Sequence, residues 1–475
     1  MFIKKKLQKK KFYKKKIHQF MKISILLPYK ENFADEYAGA VSLFVANTSK
    51  LSNFNRQITV YGSTSYINYL TKNYKNINLK KNIFISNTKK YLDNFLNLHN
   101  NKYNTILEIH NRPNYVFYLE SFFKGIVLYF HNDPNTMLGS KKISEKIKLL
   151  KICKKIVFNS NWSKRQFIKD IPSNHLSENN KLIVIYQSTN KPKIDFKNKE
   201  KIITFVGKLN RAKGYDLFCN SIIKILKKYP DWSANVIGDE PREKFNFKHE
   251  RLNLLGFRNH KFVLNNYVKT SIAVVCSRWE EPFGRTSLEA SSRGCAVIIS
   301  NKGGLPETIK KGIILKHLSV KELYNELHKL ISNSKKLKLI QKENYKNFTN
   351  DNFSISKKID DYRYDIFNKK NNIIKNKNLK ILHVTNLNER HNGRLFYNTG
   401  RRINNGFIRS NHSVLELSDR DILNYSRKLN DVTGAKKLNE KLLNIIKYYN
   451  PNIIVFGHAD LVFNNTLSFI KKNYP

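Results

Sequence analysis

The chain alternates short, continuous apolar runs with longer stretches in which apolar residues recur every three or four positions. Between Met21 and about Pro192 the runs are ISILLP, ITVYG, TILEIH, IVLYFH, KIVFNS and LIVIYQ. Runs of this kind, rich in β-branched residues and separated by helical periodicity, are strands of a parallel sheet covered on both faces. The pattern predicts a doubly wound α/β domain over residues 21–192. After the polar KPKIDFKNKEK the rhythm restarts with IITFVG, ANVIG, LNLLGF, IAVVCS, AVIIS and GIIL, predicting a second domain of the same class over residues 200–349. Following Gly214, residues Leu217, Phe218, Ile222, Ile225, Leu226 and Tyr229 fall on one helix side and Pro230 is the stop signal. Two such domains in tandem leave a cleft between facing sheet ends, where open α/β sheets bind ligands.

The polar residues 350–378 read as a helix plus linker. A third α/β unit starts at LKILHVTNLNE and reaches NIIVFGHAD before Pro475, so residues 379–475 are expected to form only part of a larger unit. Residues 1–20 are a lysine-dominated arm with two readings: an upstream artefact, with Met21 the true start, or a segment that sits on anionic lipid. A second basic stretch, Lys141–Phe158, reads as a helix with Ile143, Ile147 and Leu150 on one side. It is either a crossover helix with a solvated lysine face or a surface for an anionic membrane carrying a lipid-linked acceptor.

Composition changes this picture little. A length of 475 residues exceeds what one hydrophobic core fills, and the 40% hydrophobic fraction supports packed cores rather than disorder. The net charge of +51 alone points to phosphate-rich partners. Its lysines are spread along the chain beside Asn and Ile, however, which is the texture of compositional drift. The basic and aromatic interleaving of RNA-binding sheets is missing, so a nucleic-acid partner is not expected. Cys153, Cys219, Cys276 and Cys295 have neither metal-ligand nor redox spacing and read as buried thiols of a reducing cytosol. No apolar run approaches the roughly 18 to 20 residues that cross a bilayer. A cytoplasmic protein, soluble or peripheral, is expected.

Two segments carry the candidate chemistry. In CSRWEEPFGRTSLEASSRGCAVIISNKGGLPE, from Cys276 to Glu307, a strand ends in a loop with Glu281, Pro282, Phe283 and Gly284, and Glu289 follows in a short helix. A helix N-terminus favours negative charge, so a diphosphate fits there while carboxylates accept from sugar and ribose hydroxyls. In FVGKLNRAKGYDLF, residues 205–218, Gly207, Lys208, Lys213 and Gly214 join a strand to a helix. This places two ammonium groups, with Arg211 in the same loop, where they can meet the charge growing on a departing diphosphate. Taken singly, Glu281, Glu289, Lys208 and Lys213 each read as ordinary solvated surface charges; only their combination and placement between strand and helix point to a site.

Together these segments resemble the donor domain of the family-four retaining glycosyltransferases. That family's paired glutamates match Glu281 and Glu289, and its Gly, cation, loop, Lys, Gly motif matches Gly207, Lys208, Lys213 and Gly214. The resemblance covers residues 21 to 370. It implies the GT-B arrangement of two Rossmann-like domains facing across a cleft, donor-sugar contacts from Glu281, Phe283 and Gly284, ribose contacts from Glu289, and diphosphate contacts from Lys208 and Lys213. The family usually has Arg where this chain has Lys208, which removes a bidentate grip. Gly39 matches a position of close approach to the diphosphate and reads equally as a helix-start glycine. The phrases EIHNRP (108–113) and YFHNDP (129–134) direct His110, Asn111, Arg112, His131 and Asp133 to the cleft. Of these His131 matches the family histidine near the reacting sugar, with a structural histidine as the alternative.

The implied reaction moves a sugar from a nucleotide-diphosphate donor to a glycan or lipid-linked acceptor with retention, in lipopolysaccharide or other surface-polysaccharide synthesis. Neither cofactor nor metal is expected, since neither motif has the Asp-x-Asp pair that holds Mg²⁺. The alternatives are a GT-B epimerase or phosphorylase, or a nucleic-acid-binding protein. Residues 379–475 resemble, less specifically, the opening half of a spore-maturation type glycosyltransferase, either a truncated tandem enzyme or an accessory lobe.

Overall fold

The computed structural model describes residues 22–79, 86–99, 105–176, 179–371, 378–387, 389, 398–457 and 460–473. The basic arm 1–20 and Met21 lie outside the described residues. The chain divides into two compact units, Met1–Phe367 and Asn368–Pro475.

The first unit holds two parallel sheets. β1 (Lys22–Leu26), β2 (Ile58–Gly62), β3 (Tyr74–Asn76), β4 (Thr105–His110), β5 (Gly125–Phe130), β6 (Lys155–Phe158) and β7 (Leu182–Val184) form a seven-stranded sheet in the order β3-β2-β1-β4-β5-β6-β7. β8 (Glu200–Val206), β9 (Ser233–Ile237), β10 (Leu252–Leu254), β11 (Thr270–Val275), β12 (Ala296–Ser300) and β13 (Ile313–Leu315) form a six-stranded sheet in the order β10-β9-β8-β11-β12-β13. Both orders start a new direction beside the first strand, which places a crevice at the carboxyl ends of the central strands.

The two-residue period of the strands divides the first core cleanly. Leu26, Leu107, Ile109, Leu128, Phe130 and Phe158 pack on one face. Ile23, Ile25, Ile106, Val127, Tyr129 and Val157 pack on the other, as alternation of Cβ directions requires. In the second sheet Ile203, Phe205, Val236, Ile272, Val274 and Ile298 meet the helix Tyr215–Lys228 through Leu217, Phe218, Ile222, Ile225 and Leu226. Burial of each such side chain contributes about 1.5 to 3 kcal/mol.

The helix expected before the linker spans Asn352–Asn371, and it returns to the first sheet. Ile355, Ile359 and Tyr362 complete one face of that sheet's core. Beside them the Arg363 guanidinium grips Glu108 of β4 through Nε at 2.7 Å and Nη2 at 2.7 Å, and reaches Asp360 at 3.2 Å. Arg363 and Glu108 are 2% and 1% exposed. Glu108, the first residue of EIHNRP, therefore anchors a helix rather than facing ligand.

Two expectations change. The basic stretch 141–158 is not one helix: the helix runs Ile143–Ile152, and Lys155–Phe158 is β6. Its inward side is Lys146, Leu149 and Leu150, whereas Ile143 is exposed. β3 was absent from the pattern. The second unit is a three-stranded parallel sheet, β15 (Ser413–Ser418), β14 (Lys380–Thr385) and β16 (Ile453–Phe456), in the order β15-β14-β16, with Leu382, Val384, Leu417, Leu442 and Ile446 at its core. No described helix is long and apolar enough to cross a membrane. The four cysteines are buried and unpaired.

Candidate active site

The carboxyl ends of the two large sheets enclose a cleft of about 260 Å³ lined from the first sheet by Ala40, His131, Asn132, Asn159 and Gln187, and from the second by Gly207, Lys213, Ser277 and Glu281–Thr286. Lys213 and Glu281 form an ion pair in it, with side chains 33% and 13% exposed. Two motifs 68 residues apart thus meet at one point.

The loop carrying Glu281 is shaped by two glycines. Gly284 has φ +109°, and a Cβ there would lie 2.3 Å from Leu305; Gly303 has φ +60°, and a Cβ there would lie 2.1 Å from the Glu281 carbonyl. Both positions adopt the positive φ that favours glycine, and at Gly303 the backbone contact also excludes a side chain. The N–H of Gly304 donates to the Glu281 carbonyl at 2.6 Å, and that of Gly303 to Glu280 Oε2 at 2.6 Å. The GG pair after β12 therefore holds the Glu281 backbone in place. Phe283 is buried against Tyr186, Leu288 and Phe348 and anchors the loop from behind.

Other candidate residues sit differently. Glu289 is 3% exposed and does not line the cleft; its Oε1 lies 2.8 Å from His260 Nε2 and 2.6 Å from Arg285 Nε. Burial alone would raise its pKa, but Arg285, His260 and Arg293 outweigh burial and hold it below the usual carboxylate value. Lys208 is exposed outside the lining set, with its charge felt by Glu240. Gly39 caps the helix Ala40–Leu51, whose first residue reaches the cleft. Asp133 does not face the cleft: its carboxylate accepts from Asn135 N at 3.0 Å and caps a turn.

His131 lies on the first-domain wall. Its Nε2 is 2.9 Å from His110 Nδ1, and Gln187 Nε2 is 3.4 Å from its Nδ1. Its N–H donates to Asn111 Oδ1 at 3.1 Å, and its carbonyl accepts from Asn159 at 2.9 Å. Burial, then the neighbouring His110, pushes its pKa well below 6.5; burial, then Arg363, takes His110 to about 3. Both rings are neutral at pH 7, so His131 can exchange hydrogen bonds with a substrate hydroxyl without repelling a cation.

Sequence reasoning missed three groups. Arg285 lines the cleft with its guanidinium nitrogens buried and without a hydrogen-bond partner beyond the Glu289 ion pair. Gln187 and Asn159 complete the opposite wall. Glu307 of the second domain accepts from the N–H groups of Asn161 (2.7 Å) and Trp162 (2.8 Å) and from Tyr186 (3.0 Å). It caps the first-domain helix Asn161–Ile168, while Ser160 Oγ donates to the Pro282 carbonyl at 2.6 Å. Among the described residues no cluster of three or more His, Cys, Asp or Glu is arranged to hold a metal.

Comparison with known proteins places this geometry. Residues 187–347 match the family Glycosyl transferases group 1. Spore coat protein SA of Bacillus subtilis is 29% identical over 154 residues, 29% of this chain and 41% of that protein. The lipopolysaccharide core biosynthesis mannosyltransferase LpsB of Rhizobium meliloti is 30% identical over 123 residues, 24% of this chain and 35% of that protein. The match thus spans about two fifths or less of each relative. HepE of Anabaena, crystallised with UDP and glucose, superposes with a TM-score of 0.56 at 16% identity, over 72% of this chain and 99% of its own. That likeness concerns the fold: two doubly wound sheets facing across a cleft, the GT-B arrangement.

Proposed function

We propose, from the match of residues 187–347 to the family Glycosyl transferases group 1, that this chain transfers a sugar from a nucleotide-diphosphate donor to a glycan or lipid-linked acceptor with retention. The reading is supported above all by the Lys213–Glu281 pair, set between Gly207 and Gly284 in the cleft and faced by His131. The Lys213 ammonium meets the negative charge that builds on the diphosphate as the anomeric bond breaks. Glu281 accepts from donor-sugar hydroxyls and keeps Lys213 in place until the donor arrives. Neutral His131 meets the sugar from the other wall, its 3.4 Å contact with Gln187 long enough to yield to a hydroxyl. The acceptor oxygen attacks from the face the diphosphate leaves, and a phosphate oxygen takes its proton. The LpsB likeness favours a surface glycan as product, and UDP in HepE makes UDP-sugars the first donors to try.

Thermal-shift screening against nucleotide-diphosphate sugars should show one donor raising the melting temperature, and that donor should release nucleoside diphosphate on turnover. Lys213→Ala should lower the rate about 10² to 10³-fold, the loss of about 2.7 to 4 kcal/mol expected when one charge-stabilising contact goes. Turnover should persist in excess EDTA, because Lys213 supplies the positive charge. A donor panel without any shift, or wild-type turnover by Lys213→Ala, would overturn the reading.

A further inference from the structure

A second cavity, of about 410 Å³, opens in the first domain at the carboxyl ends of β1, β4 and β5. Tyr29 and Tyr115 supply aromatic wall, Asn111, Asn114 and Asn132 supply amides, and Arg112 supplies the charge. Asn132 lines the donor cleft as well, so the two cavities share a wall. Aromatic faces against the C–H faces of a ring and amides toward its hydroxyls form a surface suited to a sugar.

Arg112 sets the charge preference. Its Nη1 donates to the neutral Asn111 carbonyl at 2.8 Å, and among the described residues it makes no ion pair with a carboxylate. The acid that feels its charge, Glu31, already accepts from Ser42 N–H at 3.3 Å and Ser42 Oγ at 3.0 Å. A guanidinium has five donors in a planar fork that matches carboxylate or phosphate oxygens two at a time. In a chain where lysine far outnumbers arginine, a fork at this wall is the chemically distinctive choice. Asn111 fixes the wall's position. With φ +57°, it accepts through Oδ1 from the N–H groups of His131 at 3.1 Å and Asn132 at 3.2 Å.

We propose that this cavity is the acceptor subsite and takes a sugar bearing an anionic group, carboxylate or phosphate, held by Arg112. The proposal rests on the transferase reading above. Isothermal titration of the full chain, with nucleoside diphosphate bound, would compare p-nitrophenyl β-glucuronide with p-nitrophenyl β-glucoside and glucose 6-phosphate with glucose. At least one charged sugar should bind about tenfold or more tightly than its neutral partner. Tighter glucuronide binding identifies a carboxylate and tighter sugar-phosphate binding a phosphate. Arg112→Gln should erase that preference while leaving neutral binding and the donor-induced thermal shift unchanged. Arg112→Lys, which keeps the charge and loses the fork, should retain part of it and serves if the glutamine variant does not fold. Equal or undetectable binding of all four sugars, or a preference that survives Arg112→Gln, would overturn the proposal. Failure of the transferase reading is separate, since it would appear as the lack of any donor shift in the wild type.

Discussion

His110 and His131 stack with centroids 5.2 Å apart, and both are kept neutral by burial. A buried histidine whose folded pKa is depressed stabilises the fold fully above its unfolded pKa near 6.5. Below that value the unfolded chain takes up a proton that the folded chain refuses, so stability falls until pH reaches the folded pKa, about 3 for His110. The loss is up to about 1.4 kcal/mol per pH unit for each such group. Urea unfolding at pH 7 and pH 5 should therefore show a smaller pH penalty for His110→Asn than for the wild type. An equal penalty would mean that His110 is protonated in the folded protein. At this scale His131, at the end of β5, and Lys213, Glu281 and Gly284, in the loops that follow β8 and β11, could be singled out because strand ends converge in this architecture. Gln187 and Glu307 were not, because their roles arise from partners far away in sequence; Glu307 and Asn161 are 146 positions apart. Glu289 shows the same limit from the other side. Its spacing was readable, but its contact with His260 depends on where the helix His260–Lys269 packs.

The helix Asn352–Asn371 closes the first sheet by means of a charged contact that has no water to fall back on. Removing one partner of a buried pair leaves the other ion desolvated, which typically costs about 3 to 5 kcal/mol. Arg363→Leu strands Glu108 and Asp360 and should lower unfolding free energy by that amount in urea titration; a change under about 1 kcal/mol would show that the pair is solvated. Among the elements, the strands at the centre of each sheet were legible because burial on both faces demands unbroken β-branched runs. β3, with only Tyr74, Lys75 and Asn76, lies at an edge and carries no such signature. The stretch 141–158 misled for the opposite reason: its Ile and Lys spacing continues through Cys153, although the chain turns there into β6. The return of the Asn352–Asn371 helix was hidden because its polar surface resembles a linker, and its seat rests on contacts with residues more than 200 positions earlier, such as Glu108.

The molecule as a whole divides after Phe367, with the Lys213–Glu281 cleft and the Arg112 cavity both in the first unit. A protein ending at Asn371 should therefore keep the cooperative melting of that unit and its donor-dependent turnover. Loss of either, followed by circular dichroism and nucleotide release, would show that the three-stranded sheet takes part in the reaction. Within the first unit, Glu307 follows β12 towards one border of its sheet. Phe257, past β10 at the opposite border, lies against Tyr37 of the first domain with ring centroids 5.6 Å apart. A carboxylate seated on a neighbouring helix at one end and an aromatic contact at the other fasten the two halves differently. A separation of the halves that kept the Glu307 cap on Asn161 and Trp162 intact would be expected to part Tyr37 from Phe257.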